Sequence, residues 1–257
     1  MVSLLEAVLL GLVQGLTEWL PVSSSGHLVM VQEFLGIEVP LFFDILLHLG
    51  TITVIFVFFR RDIFQILKAF FRRDFKSDEG RLGVYIVVGN IPIAFFGYFF
   101  YDTLASFFTN LLVVGVALLV TGSLLFLSRY GGSTRRLSVS ESLIVGVAQA
   151  VAVIPGISRS GFTIGTGLLR GVTREEAFRF SFLLAAPAVL GAALFDASNL
   201  AFYEVDAASM AVGFTVAMVV GYLSLRLLSR VVVTGRFHLF SYYCWAAGLL
   251  TLLAVMV

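Results

Sequence analysis

Long apolar stretches separated by short polar connections dominate this sequence. A helix needs about 20 mostly apolar residues to cross the hydrocarbon core of a bilayer. Six stretches have roughly that length and predict spanning helices: Leu41–Phe59, Leu82–Phe100, Asn110–Ser128, Glu175–Phe195, Ala208–Leu228 and Leu239–Val257. The pattern therefore predicts an all-α polytopic membrane protein, in which residues 1–257 form a single membrane domain.

Two further apolar segments are interrupted by polar turns. Leu4–Leu20 runs into Pro21 and three serines, and a second short apolar segment then reaches Leu35. Leu143–Ile154 runs into a Pro-Gly pair and resumes as Gly161–Leu169. Irregular backbone at membrane depth requires surrounding protein or a water-filled cavity. Each segment is therefore predicted to form a re-entrant helical hairpin, with two half-length helices joined by the polar turn.

The two interrupted segments resemble each other, which indicates an internal duplication. Three pairs of residues coincide when Gln14 is placed on Gln149 without gaps: Ser23 with Ser158, Ser25 with Ser160 and Gly26 with Gly161. Each segment is followed by three predicted spans, so the repeats cover about residues 1–128 and 139–257. Because three spans are an odd number, the second copy must enter the membrane upside down, as in inverted-topology repeats.

Composition and charge agree with a membrane protein. Hydrophobic residues make up 59% of the chain and charged residues 13%, whereas a soluble domain has about a quarter of its residues charged. The formal net charge is only +1, and no nucleic-acid partner is expected. The bilayer itself is the predicted environment.

The distribution of basic residues predicts the orientation, because cytoplasmic ends of spans carry an excess of Lys and Arg. Sixteen of the 17 Lys and Arg residues fall on one side: Arg60, Arg61, Lys68, Arg72, Arg73, Lys76, Arg81, Arg129, Arg135, Arg136, Arg170, Arg174, Arg179, Arg226, Arg230 and Arg236. The opposite loops, Asp102–Thr109 and Asp196–Ala207, have acidic residues and no basic ones. We expect a multi-pass protein of the cytoplasmic (inner) membrane, with basic loops cytoplasmic, both termini outside and the hairpins entering from opposite faces.

The remaining basic residue, Arg159, lies in the turn of the second hairpin, in P-G-I-S-R-S-G. The first hairpin carries Glu18 in Q-G-L-T-E-W-L-P-V-S-S-S-G-H, which runs from Gln14 to His27. Arginine can also snorkel to a membrane surface, but ionisable residues in polar turns at membrane depth usually mark functional sites. Hairpins that enter from opposite faces would bring these two tips together near the midplane.

The residue types at the tips suit a phosphorylated ligand. Helix N-termini, serine hydroxyls and an arginine form anion sites; the predicted substrate-binding residues are Ser23, Ser25, Gly26, Ser158, Ser160 and Gly161. Gln14 and Glu18 are four residues apart, so they share a helix face. Together with phosphate oxygens they could hold a hard divalent cation, Mg²⁺ or Ca²⁺.

Two routes of attack on phosphorus are open. Ser24 can act as the nucleophile if His27 accepts its proton. Alternatively, water attacks directly, with His27 or Glu18 as the base. Asp44 and His48 share one face of the first span; they either line the same cavity or form a buried hydrogen-bonded pair. Asn90, which precedes an Ile-Pro pair, is interpreted as part of a helix kink.

E-W-L-P-V-S-S-S-G-H near the N-terminus, together with P-G-I-S-R-S-G in the second half, resembles the undecaprenyl-diphosphate phosphatase family of membrane phosphatases, the bacitracin-resistance type. The resemblance covers essentially the whole chain. It implies hydrolysis of undecaprenyl diphosphate to the monophosphate and inorganic phosphate with a divalent cation, which recycles the lipid carrier for cell-wall (peptidoglycan) synthesis. The polyprenyl diphosphate lipid is then the implied partner.

The resemblance also implies roles for individual residues. The family's essential Ser, His and Arg fall on Ser24, His27 and Arg159, and its acidic motif falls on Gln14 and Glu18. That motif begins with Glu or Gln, and here Gln14 removes one candidate carboxylate. The implied catalytic residues are Glu18, Ser24, His27 and Arg159, with Glu18 and Gln14 at the metal.

A second functional class is a polyprenyl-phosphate transporter or flippase, because inverted repeats with paired broken hairpins are typical of alternating-access carriers. A serine, a histidine and a glutamate close together favour the phosphatase, since a carrier does not need a nucleophile and a base. A structural or assembly protein would leave the intramembrane Glu18 and Arg159 unexplained. The sequence does not fix the oligomeric state, and a homodimer is one candidate.

Overall fold

The structure is a computed structural model that describes residues 2–36, 38–100, 107, 110–132, 134–197 and 206–256. Asp102 and Glu204, which the charge pattern assigns to the side opposite the basic residues, lie outside the described residues. Eleven α-helices occupy the described part of the chain, and it contains no strand beyond an isolated bridge between Arg135 and Val172. The prediction of an all-α protein is confirmed for these residues.

The helices are, in chain order, α1 Leu4–Trp19, α2 Ser24–Leu35, α3 Leu41–Phe58, α4 Arg60–Phe71, α5 Asp78–Phe99, α6 Leu111–Leu127, α7 Val139–Val151, α8 Arg159–Leu169, α9 Arg174–Ala197, α10 Ala207–Val233 and α11 Phe240–Met256. Among the described residues, five helical segments are long and apolar enough to cross a membrane: Leu41–Phe58, Asp78–Phe99, Leu111–Tyr130, Ala207–Val233 and Phe237–Val255. The chain is therefore a multi-pass membrane protein. The span predicted at Glu175–Phe195 is helical but is not one of these five.

Helix α4 was absent from the predicted elements. Its twelve residues follow α3 after the single residue Phe59. The sequence pattern places six basic residues between Arg60 and Lys76, and it predicts only a cytoplasmic loop there. The search for long apolar stretches misses a helix of this kind because its apolar positions recur at helical spacing among charged ones.

Each interrupted segment folds as a helix–turn–helix hairpin. In the first hairpin, defined as Leu4–Leu35, α1 ends at Trp19 because Leu20 turns to an extended conformation just before Pro21. In the second hairpin, defined as Val139–Leu169, α7 ends at Val151 and a turn leads to α8. In each hairpin the two helices pack against each other.

Close helix packing fixes the position of the first hairpin. Helix α1 packs mainly on α10, and a Cβ atom added to Gly15 would lie 2.8 Å from the Val220 Cβ. Small residues let membrane helices approach closely, so that van der Waals contacts hold them together. At the end of α1, Trp19 is buried and meets the Phe182 ring edge to face, with ring centroids 5.5 Å apart. This packing fixes the helix turn that carries Glu18.

The second hairpin is anchored at its base by a buried carboxylate. Glu141, in the first turn of α7, accepts hydrogen bonds from Arg135 at 3.4 Å and from Arg170 at 3.3 Å. The Ser138 hydroxyl also donates to Glu141. Since Arg170 directly follows α8, Glu141 links the start of α7 to the end of α8.

Candidate active site

Both hairpin tips use the same serine cap. The Ser23 hydroxyl accepts a hydrogen bond from the Gly26 N–H at 3.3 Å, and the Ser158 hydroxyl accepts one from the Gly161 N–H at 3.2 Å. Serine is a preferred N-cap because its oxygen satisfies an N–H group that has no partner within the helix. Both tips also bring a second hydroxyl close: Ser25 lies 3.4 Å from Ser23, and Ser160 lies 3.3 Å from Ser158.

The two tips touch through backbone. The Gly156 N–H donates to the Ser23 hydroxyl at 3.0 Å, so this oxygen accepts from both hairpins. A Cβ atom on Gly26 would lie only 3.2 Å from the Gly156 Cα. The chain thus brings together two turns that are far apart in sequence. Ser23 has φ +70°, an uncommon backbone conformation for a residue other than glycine that is typically found at functional sites.

Substitution of Gly156 by alanine is expected to separate the tips. Gly156 has φ +94°, and an added Cβ atom would lie 2.5 Å from the Val114 carbonyl oxygen. Backbone strain and overpacking each cost about 1–3 kcal/mol, so we expect a lower thermal unfolding temperature in detergent and a large loss of activity. Gly97→Ala in α5 is the matched control, because its Cβ would meet no atom of the described residues within 4 Å. A Gly156→Ala protein with wild-type stability and activity would contradict the tip contact.

Glu18 lies at the centre of the site and is buried. Its Oε2 atom accepts hydrogen bonds from the Ser24 hydroxyl at 2.6 Å and from the Gln14 amide at 3.0 Å. Its Oε1 atom pairs with the Arg159 guanidinium, which comes from the opposite hairpin. The His48 Nε2 atom lies 3.6 Å from Oε2. A buried carboxylate requires such partners because an unpaired one costs several kcal/mol.

The Arg159 guanidinium hydrogen-bonds to Glu18 through one nitrogen, and a second nitrogen has no hydrogen-bond partner among the described residues. Nη2 contacts Glu18, while Nη1 is buried without a hydrogen-bond partner in the described part of the chain. The Trp19 ring lies 5.6 Å from the guanidinium carbon, within range of a cation–π contact. A guanidinium binds phosphate oxygens through two N–H groups. The free Nη1 is therefore suited to a phosphoryl oxygen.

His27 forms its hydrogen bonds with residues other than Ser24. Its Nδ1 atom lies 2.8 Å from the Ser23 carbonyl oxygen, so Nδ1 carries the hydrogen and donates. Its Nε2 atom lies 2.6 Å from the Tyr243 hydroxyl, and the two rings are stacked with centroids 5.6 Å apart. The Ser24 hydroxyl instead donates to Glu18. The structure therefore brings Ser24 to the carboxylate, and it brings His27 to a tyrosine of α11.

His48 belongs to the site, whereas Asp44 interacts elsewhere. The His48 Nδ1 atom lies 2.8 Å from the Asp44 backbone carbonyl and donates to it, which directs Nε2 towards Glu18. The Asp44 carboxylate accepts from the Gln32 amide at 3.2 Å. The two side chains do not form the buried pair that was one of the two interpretations. Because Nδ1 carries a hydrogen, Nε2 can donate to the Glu18 carboxylate only when the ring holds a second hydrogen and is positively charged.

Three supporting residues were missed in the sequence. Thr51 accepts from the Gln14 amide at 3.3 Å. Thr121 donates to the Gly156 carbonyl at 3.0 Å and accepts from the Ser158 N–H at 3.1 Å, so α6 holds the second tip. The third is Tyr243, which is exposed on α11. All three are ordinary polar residues within apolar spans, and only the burial of Thr51 and Thr121 at membrane depth could have indicated a role.

The donor atoms suit a hard cation that is shared with a ligand. Glu18 supplies carboxylate oxygens, and Gln14 Oε1 is buried without a hydrogen-bond partner among the described residues. No group of three or more His, Cys, Asp and Glu side chains that could hold a metal occurs in the described ranges. Mg²⁺ is typically bound by one or two carboxylates plus phosphate oxygens and water. The residues therefore fit a divalent cation that also needs oxygens from the substrate.

Comparison with known proteins identifies the family of this chain. A family model described as bacitracin resistance protein BacA matches residues 7–250. The chain is similar to a protein of Methanosphaera stadtmanae named undecaprenyl-diphosphatase, with 40% identity over 275 residues and 100% of both chains covered. It is also similar to proteins of the same name from Korarchaeum cryptofilum, with 41% identity over 95% of this chain and 96% of the relative, and from Syntrophotalea carbinolica, with 44% identity over 96% and 97%. The resemblance found in the sequence is confirmed, and the chain belongs to the bacitracin resistance protein BacA family.

Proposed function

We propose that this protein is a membrane phosphatase that hydrolyses undecaprenyl diphosphate, or a related polyprenyl diphosphate, to the monophosphate and inorganic phosphate. The reaction returns the lipid carrier to cell-wall synthesis. The observation that carries the proposal is the contact between Glu18, hydrogen-bonded to Ser24, and Arg159 from the opposite hairpin. A nucleophile, a base and an anion-binding group converge there, and the relatives are named for this activity.

The diphosphate binds between the tips, and the prenyl chain lies among the helices. Arg159 binds a phosphoryl oxygen through Nη1, while the serine-capped N-termini of α2 and α8 supply further positive potential. Positioning and electrostatic stabilisation account for most of phosphoryl-transfer catalysis. Lipid and bilayer are therefore the required partners.

Ser24 is the proposed nucleophile and Glu18 the proposed base, since the Ser24 hydroxyl donates to Glu18 Oε2 at 2.6 Å. As the oxygen attacks the terminal phosphorus, its proton passes to the carboxylate. The prenyl monophosphate leaves, and water then releases phosphate from Ser24. His27 keeps its place through Ser23 and Tyr243, so its proposed role is to orient the tip and to exchange protons with the leaving phosphate.

A divalent cation, Mg²⁺ or Ca²⁺, would be held by Glu18 and Gln14 Oε1 together with the substrate's oxygens. When bound, it would neutralise the charge of the diphosphate and polarise its phosphorus. Gln14 is neutral, so Glu18 supplies the one carboxylate for the cation, and a Glu at position 14 would add a second. We propose that this keeps the cation dependent on the substrate.

The proposed arrangement in the bilayer has six spans, which are the five long apolar helices and, in addition, α9. Two re-entrant hairpins complete it, and the whole forms an inverted repeat of about residues 1–128 and 139–257. Two observations support it. Both tips carry the same serine cap. In addition, α1 packs on α10 of the second half, and α7 packs on α5 of the first. This reciprocal packing, in which the first helix of each half contacts a helix of the other half, is expected for two copies related by an axis in the membrane plane. The basic loops are then cytoplasmic and both termini outside.

The test is phosphate release by purified protein from farnesyl and longer prenyl diphosphates, with Mg²⁺ or Ca²⁺ added and then chelated. We expect metal-dependent release of one phosphate per substrate. Exchange of labelled prenyl phosphate across vesicles, without any phosphate release, would instead support the carrier suggested by the inverted repeat. Binding of the manganous ion, followed by electron paramagnetic resonance with and without a prenyl diphosphate, separately tests the shared cation site.

Replacement of Ser24 by alanine distinguishes the serine nucleophile from direct attack by water. We expect phosphate release to fall by about 10³-fold or more, and labelled phosphate should become trapped on the acid-quenched wild type but not on Ser24→Ala. Ser224→Ala is the control, because its hydroxyl donates to the Val220 carbonyl of its own helix, α10, and not to Glu18. Near-normal turnover of Ser24→Ala would assign the attack to water.

A further inference from the structure

Helix α4 has a position and a surface that the proposed reaction does not use. It starts one residue after α3 and is followed by α5, and both neighbours are candidate membrane spans. Twelve residues make a helix about 18 Å long, which is too short to cross a hydrocarbon core about 30 Å thick. Because α3 before it and α5 after it both enter the membrane, α4 must lie at the membrane surface.

One side of α4 is fixed against the protein. Ile63 and Ile66 pack against the main core, and Ala69 is buried. Asp62 pairs with Arg179 of α9 at 2.6 Å. These contacts determine the rotation of the helix about its axis, and therefore which of its residues face outwards.

The outward side carries an apolar stripe and a cationic stripe next to each other. Phe64, Leu67 and Phe71, at helical spacing, are 67%, 50% and 82% exposed. The second stripe consists of Arg61, Lys68 and Arg72, which are also exposed. At about 100° per residue the two stripes lie side by side around the helix. None of these three cations forms an ion pair with any residue that the structure describes.

We propose that α4 lies flat in the membrane–water interface and binds anionic phospholipids. The apolar stripe inserts among the acyl chains, and the cationic stripe contacts the headgroup phosphates. An apolar face beside a Lys/Arg-rich face is the pattern of interfacial helices. Basic residues beside a negatively charged leaflet favour anionic lipid by on the order of fivefold each. Anionic lipid is the occupant that the position of α4 provides, since the bilayer already surrounds its neighbours.

The experiment places a fluorophore on the apolar stripe. Phe71→Trp is made in a Trp245→Phe background, where the remaining Trp19 is buried. The full-length protein is reconstituted in nanodiscs of phosphatidylcholine and phosphatidylglycerol, with brominated chains on either lipid in turn. We expect a blue-shifted indole emission and several-fold stronger quenching by brominated phosphatidylglycerol than by the same fraction of brominated phosphatidylcholine. High salt should weaken this preference.

Charge variants identify the residues responsible. Arg61→Gln, Lys68→Gln and Arg72→Gln combined should reduce the quenching ratio to about one. Arg61→Lys with Arg72→Lys should keep it, because a point charge suffices for a mobile lipid surface. The matched control combines Arg226→Gln, Arg230→Gln and Arg236→Gln, which removes three exposed cations from the end of α10 and its loop, and it should keep the wild-type ratio.

Three results would overturn the inference. Emission from the introduced indole at the long wavelength of a water-exposed tryptophan would show that α4 leaves the interface. Equal quenching by the two lipids in the otherwise unaltered protein would exclude a preference for anionic lipid. An unchanged quenching ratio in the α4 triple variant would show that residues other than these three cations cause the preference. The readout is independent of phosphate release, so it distinguishes this inference from the proposed reaction.

Discussion

Glu18→Gln is expected to lower phosphate release by about 10³–10⁴-fold, the loss that accompanies removal of a positioned acid–base group or of an electrostatic stabiliser. Glutamine keeps the shape of the side chain and can still accept from Ser24. It cannot take the serine proton, it cannot balance the charge of Arg159, and it binds a cation weakly. Among the residues that the structure describes, Glu18 alone joins Ser24, Gln14 and Arg159, so no other single exchange at the tips should affect as many steps.

The measurement is single-turnover phosphate release per folded protein, with the folded fraction taken from thermal unfolding in detergent. A correction for folding is needed because a buried charge left without its partner costs about 3–5 kcal/mol. Glu141→Gln is the matched control: it is also a buried glutamate with arginine partners, but it lies at the base of the second hairpin. We expect Glu141→Gln to lower stability while turnover per folded molecule is largely kept. Activity of Glu18→Gln within about tenfold of wild type would refute its assignment as the base.

Arg159→Lys is expected to lower kcat/KM by about 10²-fold or more, although the positive charge is retained. The arginine uses Nη2 for Glu18 and leaves Nη1 for the substrate. A lysine ammonium is a compact charge on a flexible stem, so it cannot hold both partners in a fixed geometry. Steady-state kinetics with a prenyl diphosphate should show both a higher KM and a lower kcat.

Arg179→Lys provides the control for this exchange. Arg179 also pairs with an acidic residue, Asp62, but the pair lies between α9 and α4, away from the tips. We expect near-normal kinetics from it. If Arg159→Lys turned over substrate at the wild-type rate, the guanidinium would not be needed to hold Glu18 and the phosphoryl group at the same time, and the role of Nη1 would have to be abandoned.

Much of this architecture could be predicted from local sequence patterns. Apolar runs of membrane-spanning length indicated the long helices, and serine-glycine turns inside apolar runs indicated the hairpins. The serines that cap α2 and α8 stand three residues before a glycine in both copies, so one alignment predicted both tips. Glu18 and Arg159 are ionisable residues in polar turns between apolar segments, and they indicated that the two tips meet at a functional site.

Contacts made across long sequence distances could not be predicted. The pairing of His27 with Tyr243 joins residues 216 positions apart, and neither the serine motif nor the apolar context of α11 indicates it. For the same reason the sequence favoured His27 as the acceptor for Ser24, whereas the structure brings Glu18 to that hydroxyl. Asn90, interpreted as part of a kink, bonds back to the Ile86 carbonyl and also across to the Leu184 carbonyl of α9.

The tip contact has a consequence for how the chain is made. Ser23 and Gly156 are 133 positions apart, and Glu18 and Arg159 are 141 apart. When the N-terminal half emerges first from the ribosome, its hairpin holds a carboxylate whose counter-ion has not yet been synthesised. An unpaired buried charge costs several kcal/mol, so we expect the first hairpin to reach its final position only after the second hairpin has been made. The contact between the tips would then form late in folding, and that same contact creates the site.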